Sequence, residues 1–327
     1  MDGRAWVIFI FLTLFIGFRF EIGVDWKTYE IMFLDLSRAN IKDALSNGDA
    51  AYSLINWIVS RLGGQVWHVN LICAGLFSYG LILFCKALPR PGLALALSVP
   101  TLIVITAMGY TRQAVAVACI MIAYDRFRGT MEWRWLLWLC IGVLFHRSAI
   151  LVFPAFILAA SRQRWVSIVV GGALAAAILA LVVARDISAV FSLYFEGDIE
   201  SSGALPRILI GTVAACAYFS MKNRWLIFQE REPLIRNMAL LMIAMLPMFW
   251  IIPSTTVVDR MAILLVPFQC AIYAGFAASL EEKPVVENVF TALVIGMYGA
   301  LLIVWLLMAT FAEYWIPYEN VLFQKWI

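Results

Sequence analysis

Charge is what this sequence has least of. Only 14% of its 327 residues are Asp, Glu, Lys or Arg, against about a quarter in ordinary soluble chains. Hydrophobic residues make up 64%, and the mean hydropathy is +0.90. That balance excludes a cytosolic enzyme and a nucleic-acid binder, because both need a solvated, charged surface. Histidine is nearly missing, with two residues, and the six cysteines form no CxxC pair, which excludes a disulfide scaffold and a His/Cys metal cluster. The motifs HExxH, GxSxG, GxGxxG and the P-loop are absent, so a zinc protease, a serine hydrolase and a nucleotide site all lack their residues. Neither a metal ion nor a cofactor is expected. Cys73, Cys85, Cys119, Cys140, Cys216 and Cys270 all fall in apolar stretches and read as small buried hydrophobes.

What is present is a series of apolar runs. They lie near 5–18, 66–85, 92–109, 111–124, 133–146, 149–160, 165–184, 206–221, 238–253, 260–279 and 288–311. The expected fold is all-α: a polytopic integral membrane protein of about 11 transmembrane helices, range 9–12. Several runs are shorter than the roughly 20 residues that a perpendicular span needs. Pro100, Pro154, Pro247, Pro253 and Pro267 lie in or beside them, so kinked or broken helices around a polar cavity are expected. No fixed-period repeat or low-complexity linker divides the chain, and residues 1–327 read as one membrane domain.

Basic loops set the expected orientation. Arg4, Lys86–Arg90, Arg126–Arg134, Arg162–Arg164, Lys222–Arg236 and Lys283 put 13 Lys/Arg against 8 Asp/Glu on one side, a sum of +5. This side is expected to be cytoplasmic. The other side has 11 against 13, a sum of −2, yet Arg112, Arg147, Arg207 and Arg260 abut apolar runs there. The first outer loop carries an amphipathic segment from Asp25 to Leu36, expected to lie along the interface. A second piece, Ala51 to Val59, is too short to span. The loop Arg185–Leu205, with Glu196, Asp198 and Glu200, reads as a mobile lid, its acidic triple better taken as a solvated loop than as a metal site.

Three outer helix starts are expected to carry an arginine: Arg112 in Tyr110-Thr111-Arg112-Gln113, Arg207 after Pro206, and Arg260 after Asp259. A cation is poorly placed at a helix N-terminus unless an anion lies nearby, and a phosphate-bearing ligand supplies one. Snorkelling to lipid headgroups is the plainer alternative for any one of them. His146, before Arg147, is a candidate general base, with a packed interfacial histidine as the alternative. His68 has no charged neighbour and reads as structural. Asp25 is a second candidate base and is expected to cap the helix that follows it; Trp26 and Tyr29 offer rings for stacking on a sugar.

Taken together, Glu21-Ile22-Gly23-Val24-Asp25-Trp26-Lys27-Thr28-Tyr29, Ala51-Tyr52-Ser53-Leu54-Ile55-Asn56, Tyr110-Thr111-Arg112-Gln113, Phe145-His146-Arg147-Ser148-Ala149, Asp259-Arg260 and Trp315-Ile316-Pro317-Tyr318 resemble the EpsG family of Wzy-type exopolysaccharide polymerases. The correspondence runs from residue 19 to 318. Asp49-Ala50-Ala51-Tyr52 departs from it, since the family pattern places a glutamate nearer the tyrosine, and no catalytic role is assigned to that stretch.

The resemblance implies a bacterial inner-membrane enzyme with its active face toward the periplasm. It would join oligosaccharide repeat units carried on undecaprenyl pyrophosphate, as a metal-independent glycosyltransferase, alone or with a chain-length regulator and a flippase. The expected pyrophosphate ligands are Arg112 and Arg260, with Arg19, Arg147 and Arg207 as further candidates. Asp25 or His146 would take the acceptor proton, and Trp26, Tyr29, Gln113 and Tyr318 would contact sugar. Two other classes fit the same boundary arginines: a lipid-linked oligosaccharide flippase and a glycan ligase.

Overall fold

A computed structural model of the protein describes residues 1–46, 49–160, 203–252 and 254–324. Among them there is no strand, and apart from an isolated antiparallel bridge between Arg19 and Asn320 the regular structure is helical. The helices are α1 (Gly3–Gly17), α2 (Trp26–Arg38), α3 (Ile41–Ser46), α4 (Ala50–Arg61), α5 (Val66–Lys86), α6 (Pro91–Ser98), α7 (Thr111–Arg126), α8 (Trp133–Phe145), α9 (Phe153–Ala160), α10 (Ala204–Ser220), α11 (Arg224–Phe228), α12 (Glu232–Ile251), α13 (Thr255–Ile263), α14 (Val266–Ser279) and α15 (Pro284–Met308). Ten of the eleven expected apolar runs fall on these helices. The run 165–184 and the loop with Glu196, Asp198 and Glu200 lie outside the described residues.

The helices are unequal in length. Val66–Lys86, Arg224–Ile251 and Pro284–Met308 are long and apolar enough to cross a membrane, and α13 with α14 reaches that length and apolarity only as a pair bent by 50°, the shape of a broken span or a re-entrant loop. Gly3–Gly17, Pro91–Ala107, Trp133–Phe145, Arg147–Ala160 and Ala204–Ser220 are apolar but shorter. Proline accounts for much of the irregularity. Pro100 sits at the start of a π-helical stretch, Val99–Ala107, that continues α6, and a π stretch is where an α-helix has been forced to absorb extra backbone. Pro267 stands in the first turn of α14, where its missing N–H costs nothing, but the same residue prevents the preceding helix from running on.

α7 lies at the centre. Every residue from Gln113 to Tyr124 is buried, so this helix is enclosed by protein on all sides. Small side chains allow that: Gly80 of α5 lies so close to α7 that a Cβ would stand 2.7 Å from the Ala118 carbonyl oxygen, and Gly142 of α8 approaches Cys119 and Ala116. α1 closes on α5 at Gly17, where a Cβ would be 2.7 Å from the Leu71 Cα. α15, by contrast, buries little of its length and presents Val285, Val289, Leu293, Ile303, Val304 and Leu307 outward.

The cysteine expectation needs correcting. Cys73, Cys85, Cys119 and Cys270 are buried, but Cys140 and Cys216 are exposed; each shares an outward apolar face with neighbours such as Leu137 and Leu144, or Leu209 and Val213. The amphipathic reading of the first loop holds in detail, since α2 buries Trp26, Tyr29, Phe33 and Leu36. α4 packs against α2 and α3. His68 behaves as a structural residue: its Nδ1 accepts the Gln65 N–H at 3.0 Å at the start of α5.

The C-terminal tail fixes the α1–α2 connection. Phe20 N–H donates to the Glu319 carbonyl at 2.9 Å, Val321 N–H to Phe18 at 2.8 Å, and Gly23 N–H to Tyr314 at 3.0 Å. The Trp315 indole N–H reaches the Val104 carbonyl in the π stretch at 2.9 Å. Gly23 has φ +98°, and a Cβ there would lie 2.8 Å from the Gly109 Cα and from the Met108 oxygen. Glycine is therefore required at 23 both by backbone conformation and by space. This packing brings the residues just after Gly23 up against the beginning of α7.

Candidate functional site

The start of α7 is where distant polar residues converge. Arg112 stands in its first turn and is half-buried; its Nη1 lies 2.9 Å from Oδ2 of Asp49, the residue before α4. Its guanidinium carbon also lies 5.7 Å from the ring centroid of Tyr29 on α2, within cation–π range. Asp49 also feels the cation of Arg147, whose backbone N–H hydrogen-bonds to it. One arginine is thus held from two separate segments, 63 residues away in the case of Asp49.

Arg260 approaches from the other half of the chain. It lies in the last turn of α13, not at a helix start, which corrects the sequence expectation. The run 260–279 is not one helix, because the chain breaks between Ile263 and Val266 just ahead of Pro267. Placement in a last turn suits a cation, since carbonyl groups converge there. Its backbone carbonyl accepts from Gln113 Nε2 at 2.7 Å, and its guanidinium carbon lies 5.9 Å from the Tyr110 ring centroid. The side chain is exposed, and among the described residues no carboxylate stands within ion-pairing distance of it.

Asp25 and His146 face this pair of cations. Asp25 is half-buried, and burial raises its carboxyl above the usual range although Arg260 and Arg112 both pull it down. It stands before α2 but its side chain makes no cap hydrogen bond, contrary to expectation. The carboxylate is left available because the connection is fixed by the tail instead. Burial likewise raises the Asp49 carboxyl against the opposing effect of Arg112 and Arg147. His146 ends α8, and burial together with Arg112, Arg260 and Arg147 holds its imidazole down to about 4. It is neutral at pH 7, so one of its two ring nitrogens is an acceptor and the other a donor. Ser148 Oγ lies 3.4 Å from its Nδ1.

The remaining candidates have other surroundings. Arg207, in the first turn of α10, forms a buried ion pair with Asp259. Arg19 is 1% exposed; it donates to the Ile16 carbonyl at 2.8 Å, to Thr111 Oγ1 at 2.6 Å and to Asn70 Oδ1 at 3.4 Å. It ties the end of α1 to the start of α7. Trp26 is buried edge-on against Phe20, and Tyr29 is buried between Arg112 and Tyr52. Neither ring offers a free face. Gln113 is buried and committed to Arg260, while the Tyr318 hydroxyl donates to the Phe15 carbonyl at 2.7 Å and its ring stacks on Phe15.

Asp49 joins the site although the sequence reading assigns its stretch no catalytic role. The signal was its place three residues before Tyr52, at the head of a helix, within the one stretch that departs from the expected pattern. Chemically, the site brings together two arginines, a neutral imidazole and two carboxylates with raised proton affinity, an arrangement suited to holding a polyanion beside a group that takes a proton. Among the described residues no three His, Cys, Asp or Glu side chains group together as metal ligands would.

The family model of the EpsG family matches residues 5–320. No curated protein and no solved structure matches the chain.

Proposed function

This chain belongs to the EpsG family, and on that premise we propose that it is a polysaccharide polymerase of the bacterial inner membrane. Its apolar helices cross the bilayer with the basic loops in the cytoplasm and the Arg112 cluster toward the periplasm. The substrates are oligosaccharide repeat units on undecaprenyl pyrophosphate. The observation that carries this reading is the convergence of Arg112, Arg260, His146 and Asp25 from four separated segments.

The reaction is a glycosyl transfer. The acceptor hydroxyl oxygen bonds to the anomeric carbon of the donor, and the bond from that carbon to the phosphate oxygen breaks with its electron pair. Undecaprenyl pyrophosphate departs, and the acceptor proton passes to the protein. Arg112 and Arg260 hold the pyrophosphate, and positioned cations at a leaving group stabilise the charge that develops there. Asp25 is the favoured base, because its raised proton affinity matches the task better than an imidazole held at about 4. Anion binding shifts that imidazole upward by offsetting the three arginines around it, so His146 serves as a donor to a phosphate oxygen. Arg147 lies at the same cluster. Arg19 and Arg207 act as positioning residues.

Incubating the purified protein with lipid-linked repeat units tests the assignment. A ladder of longer products supports polymerisation. Single addition to a different acceptor identifies a ligase, and unchanged substrate identifies a transporter. A chelator in the same assay leaves the ladder unchanged if transfer is metal-independent.

A further inference from the structure

At the far end of α7 from Arg112, a cleft of about 280 Å³ opens between Arg126, the last residue of α7, and the first turns of α8. Arg126, Trp133, Arg134, Leu137 and Trp138 line it. Next to these residues in the chain, the buried Phe127 and Trp135 pack on each other and on Phe156. The basic residues around the cleft divide into two sets. Arg128 and Arg231 are spent on carbonyl oxygens at the end of α7: Arg128 on Asp125 and Phe127, Arg231 on Tyr124 and Asp125. Among the described residues Arg126 pairs only with its neighbour Asp125, at 3.5 Å and with nearly half its side chain in the open. Arg134 is exposed and has no hydrogen bond or ion pair among the described residues.

The apolar surface beside these two guanidinium groups has a direction. Trp133 is 71% exposed, and Leu137, Cys140 and Leu144 are exposed behind it. Spaced by four, three and four residues, they form one stripe along α8. A pair of cations at the head of an apolar stripe matches an amphiphile with an anionic head, not a soluble anion, which would leave the stripe uncovered.

We propose that this cleft binds an anionic glycerophospholipid of the surrounding bilayer, its phosphodiester between Arg126 and Arg134 and an acyl chain along Trp133, Leu137, Cys140 and Leu144. The site lies in the leaflet opposite the Arg112 cluster, since the 16 residues of α7 separate the two by about 24 Å. It rests on the membrane reading above but not on the polymerase reaction. Zwitterionic lipids fit poorly, because their own cation faces the two arginines.

Native mass spectrometry of the full-length protein in detergent, titrated with phosphatidylglycerol or phosphatidylcholine, tests the site. Phosphatidylglycerol is expected to be retained in preference. Each near-surface basic residue contributes about fivefold, so Arg126→Gln with Arg134→Gln should weaken phosphatidylglycerol about 25-fold and leave phosphatidylcholine and the melting temperature unchanged. If the pair variant does not fold, Arg134→Gln alone carries the test with about fivefold loss. Equal affinity for the two lipids, or no loss in either variant, overturns the proposal. Displacement of the lipid by soluble glycerol phosphate overturns it too, by assigning the cleft to a free phosphate ester. A chain that takes up neither phospholipid contradicts the membrane reading itself.

Discussion

Asp49 holds Arg112 through a 2.9 Å contact between Oδ2 and Nη1. The arginine best placed to bind a pyrophosphate is therefore already paired, and a phosphate must take Asp49's place on it or share it. A partly exposed pair of this kind is worth about 1 kcal/mol.

Asp49→Asn should tighten the donor. With the competing carboxylate gone, KM for the lipid-linked unit is expected to fall about fivefold, with kcat changed less. Steady-state kinetics over donor concentration read this directly, and a KM that rises instead means that Asp49 chiefly orients Arg112.

Arg112→Lys and Arg260→Lys should each slow transfer about tenfold to a hundredfold. Lysine keeps the charge but lacks the planar fork that engages two phosphate oxygens. Polymer yield and length at matched protein levels are the readout. Normal polymer from both variants would remove the two arginines from the site.

Asp25→Asn should abolish transfer and yet raise the melting temperature. Burial lifts the Asp25 carboxyl above its ordinary value, so the folded state holds that proton more tightly than the unfolded state does. Stability therefore falls as pH rises through the ordinary carboxylate range and the raised folded value, and a neutral amide escapes the loss. For the same reason the acidic limb of kcat/KM should lie above the usual carboxylate range in the native enzyme. His146→Gln should leave that limb in place; its disappearance there would transfer the base to His146.

Arg207→Gln should act on stability, not on binding. It takes the paired cation away from the buried Asp259 carboxylate, at a cost of about 3–5 kcal/mol, and thermal unfolding of the purified protein measures it. Arg207→Met with Asp259→Leu, which removes both charges, should recover most of the loss. A stable Arg207→Gln protein with a raised donor KM would return Arg207 to the pyrophosphate site.

Much of this arrangement is legible in the sequence because polar residues stand out in so apolar a chain. Arg112 and His146 interrupt or end an apolar run, Asp25 opens the amphipathic segment of the first outer loop, and all three meet at the start of α7. The amphipathic α2 is legible for a related reason, since its buried residues recur at helical spacing. Arg260 was misplaced because hydropathy alone does not register the break that Pro267 makes, so a last turn read as a first one. Asp49 was legible only as a departure from the expected pattern, and its partner was not legible. Nothing local to a carboxylate before a 12-residue helix says which cation it meets across 63 residues. The spacing of Trp26 and Tyr29 puts both on the apolar face of α2, but that Phe20, Arg112 and Tyr52 cover the rings that the sequence offers as sugar platforms follows from contacts outside α2.

Release of undecaprenyl pyrophosphate, counted against new glycosidic linkages in the purified protein, tests the central claim most directly. Polymerisation with the lipid pyrophosphate as leaving group predicts one released per linkage formed, in step with a lengthening ladder and lost together with it in Arg112→Lys. Linkages formed without that release, or release without chain growth, would contradict the account.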